Sequence, residues 1–267
     1  MNQTFDLQRF TILLKLNFVE KGRNYMLTSG LFIGLLFILL VPTALSDEFL
    51  PYGAVLHFMA LPLVVLLGGS VFTSSMFSQY TSPSTGIAAT LVPGSILEKF
   101  LTALVVYLCF SVLLLGMFLA LHYFTIDLGN SRLPENGNKY QYIPKPMLWY
   151  FACIYIISQG AFFLGSIYFS KFSYLKTAGI LFLTFVLTIV LSSWLTSRLV
   201  DASVNSVPFV PWQVSAAITK VPPIKLLRAR YIVYFPEMVQ YMIYALPVLV
   251  MLGLWYISFL RLKEKEF

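Results

Sequence analysis

Few side chains in this sequence are of a type that does chemistry. The chain of 267 residues has two histidines, His57 and His122, and two cysteines, Cys109 and Cys153. With Asp127 and Arg132, the histidines would be the candidates of an integral membrane enzyme acting on lipids. All four fit equally well as residues at the rims of membrane spans, and they form no recognisable constellation. There is no HExxH, no GxSxG and no paired acidic motif. The phosphate-cradling GxxxxGK[ST] is also missing, so no ATP site, cofactor or catalytic residue is expected in this chain. Both cysteines fall inside apolar runs, where a free thiol packs as a small apolar residue, and they imply neither a metal site nor a disulfide framework.

The elements that must carry these residues follow from composition. Hydrophobic residues make up 58% of the chain and charged residues 11%, where a soluble domain would carry roughly 25% charged residues. Phe and Tyr number 24 and 16, and the mean hydropathy is +0.81. Such a chain cannot cover itself with polar surface in water, which excludes a soluble enzyme, a nucleic-acid-binding domain and a disordered tail. The 18 Lys and Arg against 11 Asp and Glu make sense as flanks of membrane spans, so the expected partner is membrane lipid and not nucleic acid.

A spanning helix needs about 20 mostly apolar residues, and the charges mark off six such runs, at about 24–46, 52–76, 100–124, 147–169, 177–197 and 238–260. These runs are unbroken and do not alternate, which excludes barrel strands. The expected fold class is therefore an all-α integral membrane protein of six transmembrane helices, with 1–267 as one transmembrane domain. An even number of spans puts both termini on one side. The short connection KFSYLK and the C-terminal RLKEKEF are basic while SDEFLP is acidic, which places the termini in the cytoplasm. Trp149 and Trp194 then fall at the outer interface and Trp255 near the inner one. Because no ionisable group stands at mid-depth and both histidines fall near span ends, the pattern argues against an ion-coupled carrier; energy must come from a partner.

Three segments between or before the spans are informative. Residues 5–22 place Phe5, Phe10, Leu13, Leu14 and Phe18 about one helical turn apart, with Arg9, Lys15 and Glu20 expected to face away. Such a helix lies flat at the headgroup level, either as an elbow that docks a cytoplasmic partner or as a passive anchor. Residues 77–99 form a break-rich cytoplasmic loop in which a short segment, Ile87, Ala88, Ala89, Thr90, Leu91 and Val92, lies between Pro83 with Gly86 and Pro93 with Gly94. That segment suits a peg for a partner's socket. Ser95 and Glu98 have capping-box spacing, so the third span is expected to begin there, and Glu98 with Lys99 reads equally as an interfacial pair ending the span. Residues 199–236 contain Pro208, Pro211, Pro222, Pro223 and Pro236, which forbid one continuous helix. Yet VPFVPWQVSAAI and LLRARYIVYF are too apolar for a solvated loop, so short re-entrant or interfacial helices packed on the outer rim are expected, with Arg228 and Arg230 either snorkelling at the surface or meeting lipid phosphates or an anionic substrate.

This layout resembles the membrane subunit of type-2 ABC transporters. The stretch TGIAATLVPGSILEKF, Thr85 to Phe100, is similar to that family's Gly-rich turn, leucines, Pro-Ser-like pair and Lys opening span three. It most nearly resembles permease-like proteins common in Bacteroidota, which carry an LPxSxxEKF-like stretch here. Val92 is an insertion relative to that pattern, while Arg9-Phe10 fits it. The resemblance implies an export complex of the bacterial inner membrane. Two permease copies, identical or related, would each be clasped by an ABC ATPase subunit that holds ATP and Mg. It further implies that Ile87 to Val92 is the coupling helix, with Glu98 and Lys99 beside it, and that Phe5 to Phe18 is the elbow. Pore-lining residues and the substrate do not follow from it. A non-transport scaffold, assembly factor or sensor fits the same hydropathy without an ATPase.

Overall fold

The computed structural model of the protein describes residues 5–81, 86, 87, 89, 91–135, 137–199, 213–217, 230–234 and 237–265. Among these residues six helical spans are long and apolar enough to cross a membrane, and the fold is that of a helical, multi-pass membrane protein with one short strand pair outside the spans. Helix α1 covers Leu7–Leu45. The second span is built from α2 (Gly53–Ala60), a π-helical turn (Leu61–Leu66) and α3 (Leu67–Ser74), closed by a 3-10 turn at Ser78–Tyr80. Helices α4 (Ile96–Arg132), α5 (Lys145–Tyr168), α6 (Ser173–Leu199) and α7 (Glu237–Lys265) follow.

The elbow expected over 5–22 is not a separate element, because α1 runs unbroken for 39 residues into the first span. Gly22 alone stands at the expected joint, and one glycine costs a helix only about 1 kcal/mol. Asp6 caps the start, its carboxylate accepting from the Gln8 amide at 2.7 Å. Helix α4 is almost as long, at 37 residues, so α1 and α4 extend about 58 Å and 55 Å at 1.5 Å per residue. Both overreach a hydrocarbon core about 30 Å thick. They run parallel and side by side: Arg9 meets Glu98 at their starts, and Asp47 lies 3.8 Å from Arg132 at their ends. We call these the near end and the far end.

The second span returns between them. Pro62 opens its π-helical turn, and the Leu67 amide donates to the Pro62 carbonyl five residues back. Proline has no N–H to continue the regular ladder, and this local widening is where such turns arise. The core is largely aromatic. Phe72 stacks on Phe110 with centroids 3.7 Å apart, and Phe163 stands edge-on to Phe77 and Phe100 at 4.9 and 5.7 Å. Trp255 joins this cluster against Tyr107 at 6.2 Å, so it packs into the core of the bundle. Lys265 closes the near end by donating to the Ile167 carbonyl at 2.7 Å and the Tyr80 carbonyl at 3.3 Å. Helix α6 is exposed over most of 178–191, including Phe182 and Leu183.

The expected helices within 199–236 are not found among the described residues there. Instead β1 (Gln213–Ala217) pairs antiparallel with β2 (Arg230–Tyr234), Gln213 opposite Tyr234 and Ala217 opposite Arg230. The β-branched and aromatic run Tyr231-Ile232-Val233-Tyr234 suits a strand. Arg228 and the five prolines lie outside the described residues.

Candidate functional site

At the near end, the start of α4 positions one buried carboxylate. Ser95 is extended and caps α4: its hydroxyl accepts from the Glu98 amide at 3.2 Å, and Glu98 Oε2 accepts from the Ser95 amide at 2.8 Å. The capping box therefore does what its spacing implies. The spacing does not announce the other half of the site. Glu98 Oε1 accepts from the Asp6 amide at 2.8 Å and from Arg9 Nη2 at 3.0 Å. Glu98 is fully buried, and an acceptor-only carboxylate is the group that can take all three N–H donors at once. Arg9, expected to face away from the bundle, turns inward because this buried charge needs a counter-charge. Glu98 pairs with Arg9 and makes no ion pair with its neighbour Lys99 among the described residues.

Of the other elbow residues, Leu13 is buried and Leu14 packs on the core, while Phe5 and Phe18 are exposed. Phe5 lies 6.0 Å from Phe10, ring centre to ring centre. Gly86, Ile87, Ala89 and Leu91 have helical backbone and Val92 lies in the bend that follows; Ala88 and Thr90 lie outside the described residues. Ile87 is 64% exposed and Leu91 77%. Lys99 is buried and lines a cavity of about 230 Å³ with Leu13, Asn17, Glu20, Gln79 and Ala89. Beside it Lys21 Nζ donates to Gln79 Oε1 at 2.6 Å, tying α1 to the end of the second span.

At the far end, the structure brings together two residues that the sequence separates by 65 positions. His57 Nδ1 and His122 Nδ1 lie 2.9 Å apart, and both rings are buried. Both lie inside the bundle: α4 continues ten positions beyond His122, and Tyr142 and Ile143 of the following loop pack against its ring. His57 Nε2 lies 2.8 Å from Thr43 Oγ1 on α1, and Thr43 Oγ1 donates to the Leu40 carbonyl at 2.6 Å. The Ile143 amide donates to His122 Nε2 at 3.3 Å. Close approach of the elements depends on two glycines. A Cβ on Gly129 would stand 2.6 Å from the Thr43 carbonyl oxygen, and one on Gly53 2.6 Å from Thr43 Cγ2.

The ends of this chain fix its polarity. A backbone amide can only donate and a carbonyl can only accept. Thr43 spends its single proton on Leu40, so His57 Nε2 must donate to it, leaving His57 Nδ1 as an acceptor. His122 Nδ1 therefore carries the proton between the rings, and His122 Nε2 takes the Ile143 amide. The arrangement is complete with both imidazoles neutral and of opposite tautomer.

The remaining sequence candidates lie around this pair. Asp127 accepts from the Tyr142 hydroxyl, and that carboxylate beside it raises the phenol above its ordinary pKa. Arg132 faces Asp47. Asn130 holds Tyr140 by two bonds, at 2.8 and 3.0 Å, and the Tyr140 hydroxyl accepts from the Leu50 amide. Cys109 and Cys153 are free thiols on α4 and α5. Among the described residues no group of three His, Cys, Asp or Glu could hold a metal. A separate groove of about 340 Å³, almost wholly apolar, opens beside the π-helical turn and is lined by Leu61, Val65, Phe118, Leu119, Trp149 and Tyr155. Comparison with known protein families, with curated proteins and with solved structures finds no match to this chain.

Proposed function

We propose that the chain is the membrane-spanning permease subunit of an ATP-driven exporter of the ABC type. In this reading two permease copies, identical or related, form the translocation path across a bacterial inner membrane, with both termini in the cytoplasm. A separate ATPase subunit carrying ATP and Mg docks on the near end of each copy, and this chain performs no catalysis itself.

The observation that carries the reading is the placement of the exposed turn at Ile87 and Leu91 directly before the Glu98 junction. Two apolar side chains one turn apart on the outside of the near end suit insertion into a partner's groove. A push on that turn passes to α4 through the Ser95 cap and to α1 through Arg9 and Asp6, both of which hold Glu98. Because α1 and α4 lie parallel and packed along their length, a displacement at the near end would tilt them as a pair and open a path between the permease copies. The apolar groove beside the π-helical turn favours lipids, hydrophobic peptides or other lipophilic compounds as cargo over ions or sugars.

The test is affinity purification from detergent-solubilised native membrane, with mass spectrometry and an ATPase assay on the eluate. The expected result is co-purification of an ATP-binding subunit, lost in Ile87→Asp/Leu91→Asp, with ATPase activity stimulated by lipophilic compounds. A stable preparation free of any ATPase would overturn the proposal and leave a membrane scaffold or sensor as the reading.

A further inference from the structure

We propose that His122 Nε2 is a proton-binding site inside the bundle, and that a proton taken up there displaces the Ile143 amide and releases the end of the 133–144 loop from α4. The inference does not rest on the ATP-driven reading, and it follows from the forced polarity of the far-end chain.

In the neutral chain each imidazole nitrogen is already committed. His57 Nε2–H is given to Thr43, and His57 Nδ1 receives the proton of His122 Nδ1. A proton placed on His57 Nδ1 would set two N–H groups head to head at 2.9 Å. Reversing both tautomers to avoid this would aim His122 Nε2–H at the Ile143 N–H and leave His57 Nε2 facing a hydroxyl already turned to Leu40. The one link that can yield without inverting the rest is Ile143 N–H to His122 Nε2, which at 3.3 Å is the longest in the chain. A proton arriving there forms a new N–H bond on His122 and breaks only that hydrogen bond. The bond between the rings persists and becomes charge-assisted, a stronger class of hydrogen bond.

The surroundings suit a cation at His122 in particular. Phe118, itself fully buried, stacks on that ring with centroids 5.6 Å apart and planes 14° apart, within the range over which an aromatic face attracts a cation. On α4, Tyr123 lies 5.4 Å away ring to ring. From the loop, Tyr142 lies 6.2 Å away, with its hydroxyl on Asp127, and Tyr140 closes over Thr43 and Gly53. The other charges at this end among the described residues are Asp47 and Arg132, paired at the tips of α1 and α4, with Glu48 beside them, Glu135 and Lys139 exposed in the loop, Lys145 at the exposed start of α5 and Glu237 at the start of α7. Among the described residues no carboxylate hydrogen-bonds either ring, so nothing neutralises the added proton before it reaches the pair. An ionisable group buried between spans is costly to keep and marks a proton or substrate path. Here the cost is reduced by His57 Nδ1, whose lone pair already accepts the His122 Nδ1 proton.

The experiment uses the full chain without a histidine tag, 15N-labelled at histidine, in lipid nanodiscs. The chain has only two histidines, so two ring systems report. At pH 8 the expected spectrum has one ring protonated at Nδ1 and the other at Nε2. On lowering the pH to 4, the Nδ1-protonated ring alone gains a second proton while its partner stays neutral. Over the same step, hydrogen exchange at the Ile143 amide rises at least tenfold beyond the intrinsic effect of pH. Two rings of the same tautomer at pH 8 would overturn the proposal. So would two independent titrations, no titration down to pH 4, or an Ile143 amide equally protected across the step.

Discussion

Arg9 Nη2 and Glu98 Oε1 lie 3.0 Å apart, joining the first turn of α1 to the first turn of α4 across 89 residues of chain. The Glu98 side chain is fully buried and that of Arg9 is 36% exposed, so the two partners are not equivalent. Removing the carboxylate strands the Asp6 and Ser95 amides and takes its counter-charge from the guanidinium, whereas removing the guanidinium leaves a carboxylate that still has both amides. Glu98→Ala is expected to cost about 3–5 kcal/mol, the range for breaking a buried pair from one side. Arg9→Met is expected to cost less. Thermal unfolding in detergent reads the order, and equal losses would mean that Arg9 carries the whole stabilisation.

Gly129 and Gly116 lie on the same helix and make a matched pair. A Cβ at Gly129 meets backbone, the Thr43 carbonyl oxygen, while one at Gly116 meets nothing within 4 Å. Gly129→Ala must push α1 and α4 apart where the far-end site is assembled, a strain of about 1–3 kcal/mol. Gly116→Ala is expected to stay within about 1 kcal/mol of the parent, since it changes only helix propensity. Unfolding temperatures of the two variants, measured side by side, decide it.

The six spans are legible in the sequence because charges bracket apolar runs, a pattern local to each segment. The Ser95–Glu98 cap is legible for the same reason, as all its partners lie within three residues. Arg9 and the two histidines are not. Periodicity along 5–22 assigns Arg9 to the polar face, and only the third dimension supplies Glu98 as a reason to turn inward. His57 and His122 stand in apolar runs with no motif around them, and their contact depends on how the second span packs against α4. The strand pair at 213–217 and 230–234 escaped because hydrophobic bulk over a proline-rich stretch does not distinguish short helices from short strands.

Gln159 is fully buried on α5 between two groups of the second span. It accepts from Thr73 Oγ1 at 2.6 Å, and its amide donates to Ser70 Oγ at 3.3 Å. Polar links of this kind between membrane helices are worth about 0.6–2 kcal/mol. Gln159→Leu is therefore expected to lower stability by that amount in detergent unfolding, and Thr73→Val added to it should cost little more. Additive losses would show that Thr73 and Gln159 act through separate partners.

Thr43 is the residue whose hydroxyl sets the direction of the far-end chain, donating to Leu40 and accepting from His57. Thr43→Val keeps the branched shape that packs against Gly53 but removes both bonds. The buried His57 N–H then keeps only the Leu40 carbonyl within reach, and loss of the hydroxyl partner costs up to about 1–3 kcal/mol. Thr43→Ser keeps the hydroxyl and gives up the methyl group, so it loses packing but not the polarity of the chain. Thermal unfolding alone would not separate these causes, since both variants are destabilised. The ring nitrogens do separate them: Thr43→Ser should keep opposite tautomers at His57 and His122, whereas Thr43→Val should leave His57 a mixture of the two. If Thr43→Val retains the parent tautomers, the Ile143 amide and the Leu40 carbonyl are enough to order both rings, and the role assigned to Thr43 is wrong.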